Sequence, residues 1–354
     1  MKKLFQPYIN GTLQLKNHVV MAPMTRSRAI DNIPNKLMAT YYKQRSGAGL
    51  IVTEGTSPSP EGLGYPRIPG IFSDAQVAGW KLVTNAVHES GSKIFLQLMH
   101  TGRVAHSSNL PEGYQVVGLS DSQAAGEIYT ETGMYEYSAP KTLDTHGIQR
   151  IIDDHVRAAE NAIDAGFDGV ELHGAHGYLL EQSLNPHANN RTDNYGGSIK
   201  NRSRIILEIV QKTSKMIGAN KVGIRLSPFL TTNGMLSYEE SEVHDTYVYL
   251  AQELNRLGIA YLHISNNPGI PQKTHNAIRE AFTNTIIYCN GLTAETAETM
   301  LQDGPADLVA FGRSFLANPD FMRRIEKNEP LNEPDYNTLY TPGEQGYTDY
   351  PELN

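Results

Sequence analysis

Short runs of β-branched and apolar residues alternate along this chain with longer amphipathic stretches, the rhythm of parallel strands joined by crossover helices. Eight such runs, at residues 18–23, 50–55, 94–100, 168–173, 222–227, 261–265, 286–290 and 308–312, read as strands. Helical patterns lie between them. In 73–90, Ser73 stands where it can cap the first turn, and in 201–217 the residues Ile205, Ile206, Ile209, Val210 and Met216 fall mostly on one face. Eight strands alternating with helices predict a closed α/β barrel, the (β/α)8 TIM barrel, over an open doubly wound sheet. No G-x-G-x-x-G follows the first strand to anchor a dinucleotide-binding fold.

Two segments break the rhythm. Residues 5–15 read as a short β-hairpin around Asn10-Gly11, which before strand one would cap the N-terminal mouth of the barrel. Residues 104–144 form a long excursion after strand three, rich in Gly, Ser and Tyr, on the side where barrels place substrate loops; a lid or partner-contacting loop is expected there. The 354 residues carry no Pro/Gly/Ser-rich or single-charge run to mark a linker, so one domain spanning 1–354 is expected.

Composition narrows the function. A net charge of −8 with scattered Lys and Arg disfavours a nucleic-acid partner and points to small molecules. The single cysteine, Cys289, excludes an intramolecular disulfide framework, a CxxC redox pair and a Cys-ligated iron–sulfur cluster, and fits a reducing compartment. The first residues reach Gln6 and Pro7 before any apolar segment forms, and no stretch approaches a membrane span, so a cytoplasmic protein with no membrane partner is expected.

In such a barrel the active site collects at the C-terminal strand ends, and here those ends are polar. They include Pro23-Met24-Thr25-Arg26, Glu54-Gly55-Thr56, Gln97-Leu98-Met99-His100, His173-Gly174-Ala175-His176-Gly177-Tyr178 and Arg225-Leu226-Ser227. Gln97 and Arg225 sit in otherwise buried strands, where an unpaired amide or guanidinium is costly. A carbonyl-rich heterocycle would satisfy both, and so would an internal hydrogen bond or ion pair for each. Asn290-Gly291 after strand seven and Gly312-Arg313 after strand eight suggest a phosphate site, although either glycine alone would serve a simple turn. His173 and His176, three apart, fall on opposite faces of an ideal strand, so their convergence requires a bend, expected at Gly174. Tyr178 would then face the same cavity as a proton donor. The competing readings are a metal site of Glu171, His173 and His176, or plain surface histidines.

Together these residues resemble the Old Yellow Enzyme family of FMN-dependent ene-reductases, particularly its bacterial single-domain members that reduce N-ethylmaleimide, 2-cyclohexenone and nitrate esters. The resemblance runs from Ala22-Pro23-Met24-Thr25-Arg26 to Gly346-Tyr347-Thr348-Asp349-Tyr350-Pro351. Its most specific stretch is His173-Gly174-Ala175-His176-Gly177-Tyr178-Leu179-Leu180, followed by Asn185-Pro186-His187 and Asn189-Asn190-Arg191-Thr192-Asp193-Asn194-Tyr195-Gly196-Gly197-Ser198. The resemblance implies non-covalent FMN, with NADPH or NADH as hydride donor and electron-poor alkenes or nitro compounds as acceptors. By it, Thr25 bonds the flavin O4 edge, Gln97 the pyrimidine edge and Arg225 the N1/O2 region. Pro23, Met24 and Gly55 line the ring, and Gly291, Gly312 and Arg313 hold the phosphate. His173 and His176 bond the oxygen of the activating group, Tyr178 protonates the α-carbon, and Tyr65 and Tyr340 narrow the substrate cavity.

This chain departs from the family pattern in two places. Met99 stands where close relatives carry Trp, which should widen the cavity or make it more adaptable. Residues 263–268 are shorter and more polar than usual, so preferences for nicotinamide and substrate do not carry over. No metal is expected. The rival readings are a metal-dependent barrel hydrolase built on His173 and His176, and a barrel that binds a ligand without catalysis. Monomer and homo-oligomer are both compatible with the sequence.

Overall fold

The computed structural model describes residues 2–353. Met1 and Asn354, the two ends of the expected domain, lie outside the described residues. The strands are β1 (Val19–Met21), β2 (Leu50–Val52), β3 (Lys93–Leu98), β4 (Gly169–Gly174), β5 (Val222–Leu226), β6 (Tyr261–Ser265), β7 (Thr285–Cys289) and β8 (Leu308–Phe311). They pair in parallel and close in sequence order, with β8 returning to β1. Each expected run overlaps its strand; five runs contain it, β3 and β7 begin one residue before their runs, and β4 ends one residue after its run. The ladder stops where residues such as Thr53, His100 and Ser227 leave it to form the mouth.

The helix expected after Ser73 spans Asp74–His88, and Ser73 and Gln76 cap it reciprocally. The pattern read at 201–217 forms two helices, Ile199–Arg202 and Arg204–Ile217, broken at Ser203. Ile205, Ile206, Ile209 and Val210 are buried there, but Met216 is 50% exposed. Six residues beyond Val210 it has turned roughly 240° around the axis, off the buried face.

The N-terminal mouth is plugged. Tyr8–Asn10 pairs antiparallel with Leu13–Leu15 through a turn in which Gly11 has φ +56°. Leu13 and Leu15 enter the cluster formed by Val20, Leu50, Val52, Phe95, Tyr261, Ile287 and Leu308. Gly223 makes room in this layer, since a Cβ there would lie 2.3 Å from the Tyr261 ring. Tyr8 Oη and Asn10 Nδ2 lie 2.8 and 3.0 Å from Thr285 Oγ1 at the start of β7, fixing the hairpin as a lid on the barrel floor.

The excursion after β3 contains an antiparallel hairpin, Glu127–Thr130 with Gly133–Glu136. The C-terminal segment returns to the upper rim. Arg28 donates to the carbonyls of Thr338, Leu339 and Gln345, and Tyr347 stacks on Tyr41 at 4.1 Å. Among the described residues no helix is long and apolar enough to cross a membrane.

Candidate active site

Strand register brings the inward-facing polar residues together. Gln97 on β3 lies opposite Glu171 on β4, and Arg225 on β5 lies between His173 on β4 and His263 on β6. With a two-residue period, Glu171 and His173 point the same way, one above the other. Gln97 donates from Nε2 to Glu171 Oε1 at 2.8 Å, and His263 Nδ1 lies 2.8 Å from Glu171 Oε2. Burial opposes charge on both members of this pair, but each overcomes it through the other. The Glu171 carboxyl is held below its usual range, and the His263 imidazole is raised above its own. Both internal partners weighed for Gln97 and Arg225 from sequence therefore have counterparts here. Arg225 Nη2 donates to Cys289 Sγ at 3.1 Å, while its Nε is buried with no partner. Burial would raise the Cys289 thiol, but Arg225 and His263 bring it down to about 7.

His173, His176 and Tyr178 converge. The His173 and His176 rings meet edge to face at 5.4 Å, and the His173 and Tyr178 rings are 5.0 Å apart. The bend that allows this is not at Gly174, which stays in the ladder opposite Leu226. It lies at His176 and Gly177, with φ of +57° and +80°. A histidine in that region needs outside support, and it has it: His176 N–H donates to Ser227 Oγ at 2.8 Å, and its Nε2 lies 2.9 Å from Ser265 Oγ. His173 Nδ1 is buried without a partner. Tyr178 shares a 3.1 Å hydrogen bond with the Tyr65 hydroxyl.

The remaining residues of interest divide between two cavities. One, of about 480 Å³, is lined by Pro23, Met24, Arg225, Gly291, Gly312 and Arg313. Gly291 has φ +67° and open space where a side chain would stand, so its backbone is bare to the cavity. The Arg313 guanidinium sits 5.9 Å from the Tyr336 ring. The second, of about 270 Å³, is lined by Thr25, Tyr65, Tyr178 and Tyr340, together with Tyr129 from the excursion hairpin. Thr25 is thus grouped with the tyrosines and not with Pro23 and Met24. Met99 lines neither cavity. It packs with Leu63 and Ile68, and a Cβ on Gly55 would lie 2.5 Å from its sulfur.

Sequence reasoning missed the Glu171–His263 pair, Ser265 and Tyr129. The alternation of Glu171 with His173 signalled an inward carboxylate, but His263 lies 92 positions away. Glu171 is committed to Gln97 and His263, and among the described residues no group of three His, Cys, Asp or Glu side chains could hold a metal ion.

Residues 3–332 match the NADH:flavin oxidoreductase / NADH oxidase family. The chain is 43% identical over 360 residues to 12-oxophytodienoate reductase 1 of Oryza sativa subsp. japonica, covering 99% of this chain and 93% of that one. Its structure is similar to that of morphinone reductase, with a TM-score of 0.95 and 45% identity over 99% of this chain and 96% of that one. Morphinone reductase has also been solved in complex with tetrahydroNAD. The Old Yellow Enzyme homologue of Zymomonas mobilis gives a TM-score of 0.94 at 39% identity, over 99% of this chain and 100% of that one.

Proposed function

The chain belongs to the NADH:flavin oxidoreductase / NADH oxidase family, and on that footing we propose that it reduces the activated C=C bond of α,β-unsaturated carbonyl and nitro compounds in two steps sharing one site. It is an FMN-dependent NAD(P)H oxidoreductase of the Old Yellow Enzyme type. The reading rests above all on the meeting of His173, His176 and Tyr178 at the mouth, one strand from Arg225.

FMN fits what the mouth leaves unfilled. Arg225 Nε and His173 Nδ1 are buried without partners, and the cavity of about 480 Å³ offers bare backbone at Gly291. Gly291, Gly312 and Arg313 would hold the phosphate, Pro23, Met24 and Gly55 would line the ring, Thr25 would bond its O4 edge, and Gln97 and Arg225 would meet the pyrimidine edge. Two-electron transfer, in from the nicotinamide and out to the acceptor, is the chemistry FMN supplies when bound.

The protein's own residues do the rest. His173 and His176 bond the acceptor's oxygen. Burial, reinforced by the positive charge of Arg225 and His263, holds both imidazoles well below their ordinary range, so they are neutral at pH 7. A neutral imidazole still donates an N–H to an oxygen that gains charge in the transition state. Tyr178 delivers the proton to the α-carbon; burial pushes its phenol up to about 12, which keeps the proton in place until the carbon accepts it. Tyr65 and Tyr340 narrow the space around the acceptor, and nitrate esters form a further acceptor class.

Anaerobic rapid mixing tests the reading. NADPH or NADH should bleach the flavin absorbance, 2-cyclohexenone should restore it in a separate step, and steady-state double-reciprocal plots should be parallel. Absence of bleaching by either nicotinamide, or plots that intersect, would overturn it.

A further inference from the structure

Glu181 lies one helical turn beyond Gly177, in the short helix Leu179–Leu184, and is 3% exposed. Its carboxylate gathers the turn that carries the reactive side chains. Gly177 N–H donates to Oε2 at 2.6 Å. His176 N–H reaches the same carboxylate through Ser227, whose hydroxyl donates to Oε1 at 2.5 Å. Two consecutive residues of positive φ are thus tied by their N–H groups to one carboxyl, Gly177 directly and His176 through Ser227. The turn's carbonyls are held separately: Asn233 donates to His176 O at 2.8 Å and Gln182 to Gly177 O at 2.7 Å.

We propose that Glu181 is a positioning residue for the reaction: its buried carboxylate fixes the His176–Gly177 turn and thereby sets the angle at which His176 and Tyr178 face an acceptor. This rests on the ene-reductase reading of those two side chains. The third bond to the carboxylate comes from Tyr247 Oη at 2.9 Å, on the outer helix Glu240–Arg256. None of the three donors is a cation. Burial accordingly pushes the carboxyl up to about 7, against the pull of the hydrogen bonds. A carboxyl kept where its charge is poorly supported has a stabilising role that an apolar side chain could fill better. What an apolar side chain could not do is terminate the N–H groups of His176 and Gly177.

The three partners separate positioning from general packing. Glu181→Gln leaves one acceptor oxygen for donors that now meet two, and Ser227→Ala cuts the branch to His176. Tyr247→Phe removes a bond to the same carboxylate without touching the turn. With FMN bound, Glu181→Gln and Ser227→Ala should each weaken phenol binding and slow the 2-cyclohexenone step by about tenfold or more, the scale of a lost hydrogen bond to a charged group. Tyr247→Phe should leave both within about twofold, even if its melting temperature falls as far. Hydrogen exchange of the 174–178 segment in the FMN-free protein gives an independent readout: protection should drop in the first two variants and hold in the third. Unchanged phenol binding and exchange in Glu181→Gln, or equal losses in Tyr247→Phe, would overturn the proposal. Should Glu181→Gln not fold, Ser227→Ala against Tyr247→Phe decides it. Failure of wild-type enone turnover would refute the ene-reductase reading instead, leaving exchange to report on the turn.

Discussion

At the N-terminal mouth, Leu13 and Leu15 of the hairpin close over Val20, Phe95, Tyr261 and Leu308, and the hairpin's polar side chains end on Thr285. At the C-terminal mouth β4, β5 and β6 carry His173, Arg225 and His263, each buried with a ring or guanidinium nitrogen that has no partner. Buried polar atoms are normally satisfied. Among the floor side chains just named Tyr261 Oη alone is unpartnered, amid apolar neighbours, while the mouth gathers three ionisable side chains, so one end is finished chiefly as a core and the other by what it binds. The contrast teaches where stability and chemistry reside: substitutions below should cost folding, and substitutions above should cost binding and rate.

The largest effect is expected at the floor. Phe95 is 2% exposed, lies 5.6 Å from the Tyr261 ring and presses so closely on Gly169 that a Cβ there would sit 2.5 Å from it. Phe95→Ala should cost about 3–5 kcal/mol in denaturant unfolding. The molecules that remain folded should keep both half-reaction rates, and a selective loss of one of them would break the division between the two ends.

Arg225→Ala should do the reverse. FMN affinity should fall by about tenfold or more, the scale of a charge-assisted hydrogen bond. The FMN-free protein should be no less stable, because a buried guanidinium with an unpartnered Nε is gone. Arg225→Lys should recover only part of the affinity, since a point charge replaces a fork. Calorimetry with and without FMN separates the two quantities. A large loss of stability without FMN would make Arg225 part of the core.

The smallest expected effect is a pH dependence of stability. His100 and His155 are buried and neutral, with burial bringing their pKa values down to about 3 and about 4. Below their unfolded value of 6.5 the unfolded chain takes up protons that the folded one refuses, so these two lower stability as pH falls from 6.5. Glu54 and Glu181 are raised by burial to about 7 from 4.5, so they restore stability as pH falls from 7 to 4.5. His173 and His176, also held well below their ordinary range by burial, act with His100 and His155, so between 6.5 and 4.5 the histidines outweigh the two carboxyls. Below 4.5 the histidines act alone, together with carboxyls such as Glu171 and Asp320 that are held low in the fold. Stability from urea melts should change little between pH 7 and 6.5, fall progressively toward pH 4.5 and fall more steeply below it; stability that holds level from pH 6.5 to 4.5 would contradict this balance.

Much of the floor was legible in the sequence, because its causes are local. Apolar runs announce strands, and Asn10-Gly11 with buried Leu13 and Leu15 announces the hairpin. At the mouth, residue types were legible while geometry was not. His173, His176 and Tyr178 stood out as chemical groups, and a family resemblance supplied their roles, but the bend fell on His176 instead of Gly174. The reason is non-local: the left-handed histidine is held by Ser227, 51 positions on, whose hydroxyl in turn needs Glu181. Glu171 likewise depends on His263 from across the barrel. Met216 shows the opposite limit, since strict attention to helical phase would have placed it outside.

The central claim, that the upper mouth delivers a proton through Tyr178 to an acceptor held by His173 and His176, is tested most directly by rapid-mixing kinetics of both half-reactions in Tyr178→Phe. The variant keeps the ring and its edge-to-face contact with His173 and loses only the hydroxyl bonded to Tyr65. Flavin bleaching by NADPH or NADH should proceed at the wild-type rate, while reoxidation by 2-cyclohexenone slows by roughly 10²-fold or more, the scale of a positioned acid. Equal slowing of both steps would make Tyr178 a structural residue, and an undiminished enone step would mean that the proton comes from elsewhere.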